Sequence, residues 1–184
     1  MKAALFYYDG FAQFEIALAL LKLDALEWHH IALEKRPYKS LEGQTFLVQG
    51  TLETIDPNTI DLMVIPGGDS LPLFHVEVLK TFIEACLSSG GIVAGICGGS
   101  ELLAGFGFLD GLRCTGGATG ISSDDPLAKY YSASKYEDQP ILIDDYKAGI
   151  IITAQGQSYE AFANKLVEVI NERTTHRRTP SKSV

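Results

Sequence analysis

The segment Ile92-Val93-Ala94-Gly95-Ile96-Cys97-Gly98-Gly99-Ser100-Glu101 places a thiol where an apolar run breaks into glycines and then resumes at helical spacing. A nucleophile between a strand and a helix sits on a cramped turn. Small neighbours such as Gly95, Gly98 and Gly99 relieve that crowding and leave the side chain exposed. Unpaired amides at a helix start favour negative charge, so Cys97 is expected to ionise more readily than an ordinary cysteine. A structural cysteine beside a glycine-rich turn has a similar composition, but the order strand, Gly-x-Cys-Gly-Gly, helix points to a reactive thiol.

Two other segments could work with that sulfur. Val64-Ile65-Pro66-Gly67-Gly68-Asp69 is a buried strand running into a Pro-Gly-Gly turn. Its backbone amides could face the sulfur and form an oxyanion hole together with the amide of Gly98, or the segment could simply be a turn. Glu15 follows Asp9-Gly10-Phe11-Ala12-Gln13-Phe14 near the start of a helix. An acid there is usually a surface complement to the helix dipole, yet Phe14, Ile16 and Ala17 beside it are apolar and could turn it into a cleft.

Of the histidines His29, His30, His75 and His176, only His75 stands near a loop of interest, as a proton shuttle or as a surface helix position. His29 and His30 read as strand residues and His176 as part of the tail. Cys114 is either a second thiol that resolves an oxidised Cys97 or a small buried residue, and Cys86 fits the core side of a helix. Three cysteines without Cys-x-x-Cys spacing argue against a disulfide framework and against a metal site.

The elements that must carry these residues alternate. Ala3 to Tyr8, Trp28 to Leu33, Leu62 to Ile65, Ile92 to Ala94 and Gly149 to Thr153 read as strands. Phe14 to Leu26, Leu71 to Ser88, the stretch from Ser100 and Tyr159 to Ile170 read as helices. Gly43 to Thr54 suggests a small antiparallel excursion, and Asp124 to Tyr131 a short helix in a longer loop. The alternation predicts an α/β fold whose mostly parallel central sheet is covered by helices on both faces, with ligands bound beyond the C-terminal strand ends.

With 184 residues, one domain is expected over residues 1–172, followed by a solvated tail over 173–184 holding Arg173, Arg177, Arg178 and Lys182. The formal charge of −8 argues against nucleic acid and anionic membrane surfaces as partners. No stretch reads as a signal peptide or a membrane span, and free thiols fit a cytoplasmic location.

Together, Glu15, the Pro-Gly-Gly loop and the Gly-x-Cys-Gly-Gly turn resemble the ThiJ/PfpI (DJ-one) superfamily over about Lys2 to Asn171. The resemblance implies a flavodoxin-like three-layer sandwich related to glutamine amidotransferases, with no cofactor and a homodimer. It implies Cys97 as nucleophile, Glu15 as the protonated acid hydrogen-bonded to its sulfur, and an oxyanion hole at Gly67, Gly68 and Gly98. The activity so implied is glyoxalase- or deglycase-like, on a small-molecule electrophile. Alternatives are a redox or oxidative-stress sensor working through Cys97 oxidation, an isonitrile hydratase with Asp9 or Asp69 as acid, and a PfpI-type peptidase. The chain departs from the pattern in one place. Many catalytic relatives carry a His after the elbow helix, whereas Arg113-Cys114-Thr115-Gly116-Gly117 stands here, with Gly116 in that position. An amidotransferase would also need a late His followed by an acid, which Thr153-Ala154-Gln155-Gly156-Gln157-Ser158 lacks; those polar residues are expected to line the pocket rim.

Overall fold

A computed structural model describes residues 1–178, with side chains through Thr175. The chain runs β1 (Lys2–Phe6), α1 (Phe14–Lys22), β2 (Glu27–Ala32), β3 (Pro37–Lys39), β4 (Thr45–Leu47), β5 (Gly50–Thr51), β6 (Leu62–Ile65) and α2 (Glu77–Ser88). It continues through β7 (Ile92–Ile96), α3 (Gly98–Gly105), β8 (Arg113–Cys114), β9 (Lys135–Tyr136), β10 (Ile141–Tyr146), β11 (Gly149–Ala154) and α4 (Tyr159–Arg178).

The main sheet has the order β10-β11-β7-β6-β1-β2-β5. All its pairs are parallel except β10 with β11, which a tight turn at Lys147 and Ala148 joins as a hairpin. Every residue of β6 and β7 is buried, as expected for strands covered on both faces. Helices α1 and α4 pack against each other, while α2 and α3 pack on β7 and β11. The result is the three-layer α/β sandwich expected from the alternation of elements. No helix among the described residues is long and apolar enough to cross a membrane.

Several boundaries differ from those expected. The helix foreseen from Leu71 to Ser88 is broken: Leu71–Leu73 forms a single 3₁₀ turn around Pro72, and α2 begins only at Glu77. Proline lacks the N–H that an uninterrupted α-helix would use. The excursion at Gly43 to Thr54 is the antiparallel pair β3–β4, reaching back to Pro37, whereas β5 adds to the main sheet alongside β2. The short helix foreseen at Asp124 to Tyr131 is a 3₁₀ turn at Ala128–Tyr131. Strand β10 was not foreseen.

Helix α4 extends beyond Ile170 to Arg178, into the span expected as tail. The Arg173 guanidinium donates to the Gly90 carbonyl at 2.6 Å, and the Thr174 hydroxyl lies 3.3 Å from the sulfur of Met1. Lys182 and the rest of the expected tail from 179 onward lie outside the described residues, as does the side chain of His176.

Candidate functional site

Cys97 lies where β7 passes into α3, at φ 53° and ψ −120°. A non-glycine residue there costs on the order of 1–3 kcal/mol, so surrounding contacts must hold it. They are visible. The Cys97 amide donates to the Ala154 carbonyl at the end of β11 (2.9 Å), and its carbonyl accepts from the amides of Ser100 and Glu101. The buried Ser100 hydroxyl donates to the Gly95 carbonyl (2.9 Å) and accepts from the Ala154 amide (3.2 Å), lacing β7, β11 and α3 together beneath the thiol. A side chain at Gly95 would strike the backbone of Gly99 and Ser100, which is why the strand can enter the turn only through glycine.

Glu15, on the first turn of α1, is 3 % exposed. It is no surface complement to the helix dipole. Its Oε2 accepts from the Gly67 amide at 2.8 Å, and the carboxyl lies beside Cys97, so that each influences the other's ionisation. A Cβ added at Gly156 would lie 2.6 Å from the other Glu15 oxygen and 3.2 Å from the Cys97 sulfur, and one at Gly67 would strike Glu15 and Cys97. Gly67 and Gly156 thus wall the acid–thiol pair, and Gly156 was foreseen only as part of a polar rim.

The Pro66-Gly67-Gly68 loop is pinned by the Tyr8 hydroxyl, which reaches the carbonyls of Pro66 (2.9 Å) and Gly67 (2.7 Å). Gly68 sits at φ 114°, and a side chain on it would strike the Gly10 carbonyl. The foreseen oxyanion residues divide by task. The Gly67 amide is committed to Glu15, whereas the amides of Gly68 and Gly98 act on the Cys97 sulfur in favour of its charged form.

The electrostatics correct the expectation of an easily ionised thiol. The Gly98 and Gly68 amides do favour the thiolate, but burial and the carboxylates of Glu15 and Glu101 outweigh them and push Cys97 up to about 12. Burial, ahead of every other cause, pushes Glu15 up to about 7, with the bonds to Gly67 and Cys97 acting against it. The two groups compete for one negative charge. A proton passing from sulfur to carboxylate removes the repulsion and leaves a thiolate facing two amides.

Sequence reasoning passed over Glu101, taking it only as a first-turn acid of α3. It is half-buried and, mainly through burial and then through Asp125 and Asp69, pushed up to about 7. A helix start caps as well as it catalyses, so its type and place gave no distinguishing signal. His75 is exposed in the turn before α2, and none of the bonds or charges acting on Cys97 and Glu15 involves it. Asp9 is exposed and paired with Arg36 at 2.7 Å, which draws its carboxyl below the usual range. Cys114 and Cys86 are buried free thiols. Gly116 has the Tyr131 hydroxyl where a side chain would stand. A cavity of about 220 Å³ bounded by Tyr7, Tyr8, Arg36, Tyr38, Asp69 and Leu73 adjoins the site on the Asp69 side.

A thiol on a strained strand-to-helix turn, with a buried carboxyl against it and a mostly parallel sheet beneath, defines a cysteine-elbow protein of the α/β class. The chain belongs to the DJ-1/PfpI family, whose model matches residues 1–169. Among relatives it is 26 % identical to a deglycase of Thermococcus kodakarensis over 122 residues, 65 % of this chain and 74 % of that one. Among solved structures, a DJ-1 superfamily protein of Agrobacterium tumefaciens matches at TM-score 0.73 and 25 % identity, covering 93 % of this chain and 90 % of the other. A two-domain protein of Anabaena variabilis with DJ-1/ThiJ/PfpI-like and ferritin-like domains matches at TM-score 0.80 and 19 % identity; the alignment covers 92 % of this chain but only 48 % of that longer one.

Proposed function

We propose that the protein is a cysteine-dependent enzyme of glyoxalase or deglycase type, with Cys97 attacking the carbonyl carbon of a small electrophile. The observation that carries this reading is the contact between Cys97, held at φ 53°, and the buried carboxyl of Glu15. A carboxyl poised near neutral pH is suited to accept a proton and return it. Ionised Glu15 takes the thiol proton as the C–S bond forms, and the carbonyl π electrons move to oxygen. The amides of Gly68 and Gly98, no longer needed by a thiolate, face the developing oxyanion, and the proton on Glu15 is available to neutralise it. With no His in contact with Cys97 among the described residues, Glu15 serves as both base and acid. The name of the Thermococcus relative supports the same class of reaction.

A peroxide sensor is less well supported. Sulfenic acid formation needs a standing thiolate, and here burial and the charges of Glu15 and Glu101 disfavour that form. Cys97→Ala is expected to abolish turnover of methylglyoxal or of glycated thiols while the far-ultraviolet circular dichroism stays unchanged. Wild-type protein without Cys97-dependent turnover of either substrate class would overturn the proposal.

A further inference from the structure

The cavity next to the elbow stands where the sheet changes direction. From β1 the chain moves to β2 and β5 on one side, then crosses back to β6 and β7 on the other. The loops leaving the C-terminal ends of β1 and β6 therefore part from each other, and such a switch point is where α/β sheets leave a crevice for ligands. Tyr7, Tyr8 and Asp9 follow β1, Leu33 and Glu34 follow β2, and Asp69 follows β6; all of them line the cavity. Neither Cys97 nor Glu15 is among its lining residues.

Size and wall narrow the chemistry of an occupant. The volume of about 220 Å³ exceeds the roughly 150 Å³ that holds benzene in an engineered apolar cavity, and falls short of the roughly 300 Å³ at which drug-sized sites begin. A one- or two-ring molecule fits. The wall is mostly apolar, and its tyrosine hydroxyls are already engaged: Tyr7 with Nδ1 of His30 at 2.8 Å, Tyr8 with the carbonyls of Pro66 and Gly67, and Tyr38 with the Glu34 carbonyl at 3.0 Å. Those bonds hold the three side chains in place, so the cavity is formed before anything enters it. At the rim the Arg36 guanidinium sits 4.1 Å from the centre of the Tyr38 ring and is paired with Asp9 at 2.7 Å and Glu34 at 3.4 Å. The lining carboxylate left without a hydrogen bond or ion pair among the described residues is that of Asp69. A planar molecule with apolar faces and one N–H or O–H donor matches this pattern.

We infer that this cavity is a second binding site, taking a one- or two-ring aromatic molecule whose N–H or O–H donates to Asp69. The ring displaces water from the apolar wall, and the donor gives the carboxylate the partner it lacks. The inference does not depend on which residue is the nucleophile, so its failure leaves the role of Cys97 standing.

The test titrates indole and N-methylindole, which share a ring system and differ in the donor, into the full chain by calorimetry and by NMR. Indole is expected to bind saturably with a Kd of about 1 mM or tighter and to show nuclear Overhauser contacts to the methyl groups of Leu33 and Leu73. N-methylindole should bind about tenfold more weakly, and Asp69→Ala should remove most of that difference. Leu33→Trp fills the cavity and should abolish indole binding. Leu33→Phe, a smaller insertion, should weaken it severalfold if the first variant folds poorly, and Leu21→Trp at an exposed position of α1 should leave it alone. No saturable indole binding up to about 10 mM, contacts that fall elsewhere on the protein, or binding untouched by the Leu33 variants overturns the inference. Equal binding of the two probes to the wild type overturns the donor to Asp69.

Discussion

Replacing Glu15 by Gln isolates the cost of keeping an acid in this pocket. Gln preserves the shape and an oxygen for the Gly67 amide, now 2.8 Å from Oε2, but cannot ionise. In the folded protein the carboxyl is pushed from 4.5 up to about 7, so between those values the folded chain holds a proton that the unfolded chain has released. Stability therefore falls as pH rises through that window, and the loss is complete above it. At about 1.4 kcal/mol per pKa unit, ionised Glu15 costs the fold on the order of 3 kcal/mol. With the group 3 % exposed, little of this is screened by solvent. Urea unfolding of both proteins at pH 5 and pH 8 measures the effect. Glu15→Gln should be the more stable at pH 8, and its advantage should shrink by about 2–3 kcal/mol on going to pH 5. Turnover should fall by about 10²–10⁴-fold. A variant less stable than wild type at pH 8, or an advantage that does not change with pH, would refute the placement of an uncompensated carboxyl against Cys97.

Two substitutions probe the scaffold. Gly68→Ala introduces a Cβ that meets the Gly10 carbonyl at a φ of 114°, and should destabilise the fold by about 2 kcal/mol or more and remove Cys97-dependent turnover; thermal melting and the methylglyoxal assay read the two effects. Ser100→Ala leaves the Ala154 amide without the hydroxyl that accepts from it, at a cost of about 1–3 kcal/mol in denaturant unfolding, and should slow alkylation of Cys97 little, since the sulfur itself is untouched.

The elbow could be read from the chain because its constraints are local. Gly95, Cys97, Gly98 and Gly99 must be small or specific wherever such a turn forms, and the apolar run before them announces the strand. Glu15 became legible only in company with the other two segments. The direction of the Cys97 ionisation was not legible, because it depends on which distant groups fold against the sulfur. Amides from the helix start are visible in sequence; burial and the charges of Glu15 and Glu101 are products of packing. The same separation explains the role of Gly67, whose amide serves a residue far away along the chain. Strand β10 escaped because Asp144 and Asp145 interrupt its apolar pattern. Its residues are only partly buried at the sheet edge, where alternation is weak. Helix α4 was underestimated because its last turns are polar, and packing of Arg173 on the loop before β7 supplies what periodicity does not.

That last contact brings the two ends of the described chain side by side, with Thr174 against Met1 and Met1 in turn bonded through its carbonyl to the Glu27 amide. The order in which the elements are joined is consequently separable from the architecture they build. A circularly permuted gene, with a short bridge joining Arg178 to Met1 in place of residues 179–184 and new termini opened in the exposed 122–124 loop, should yield the same sheet and the same elbow.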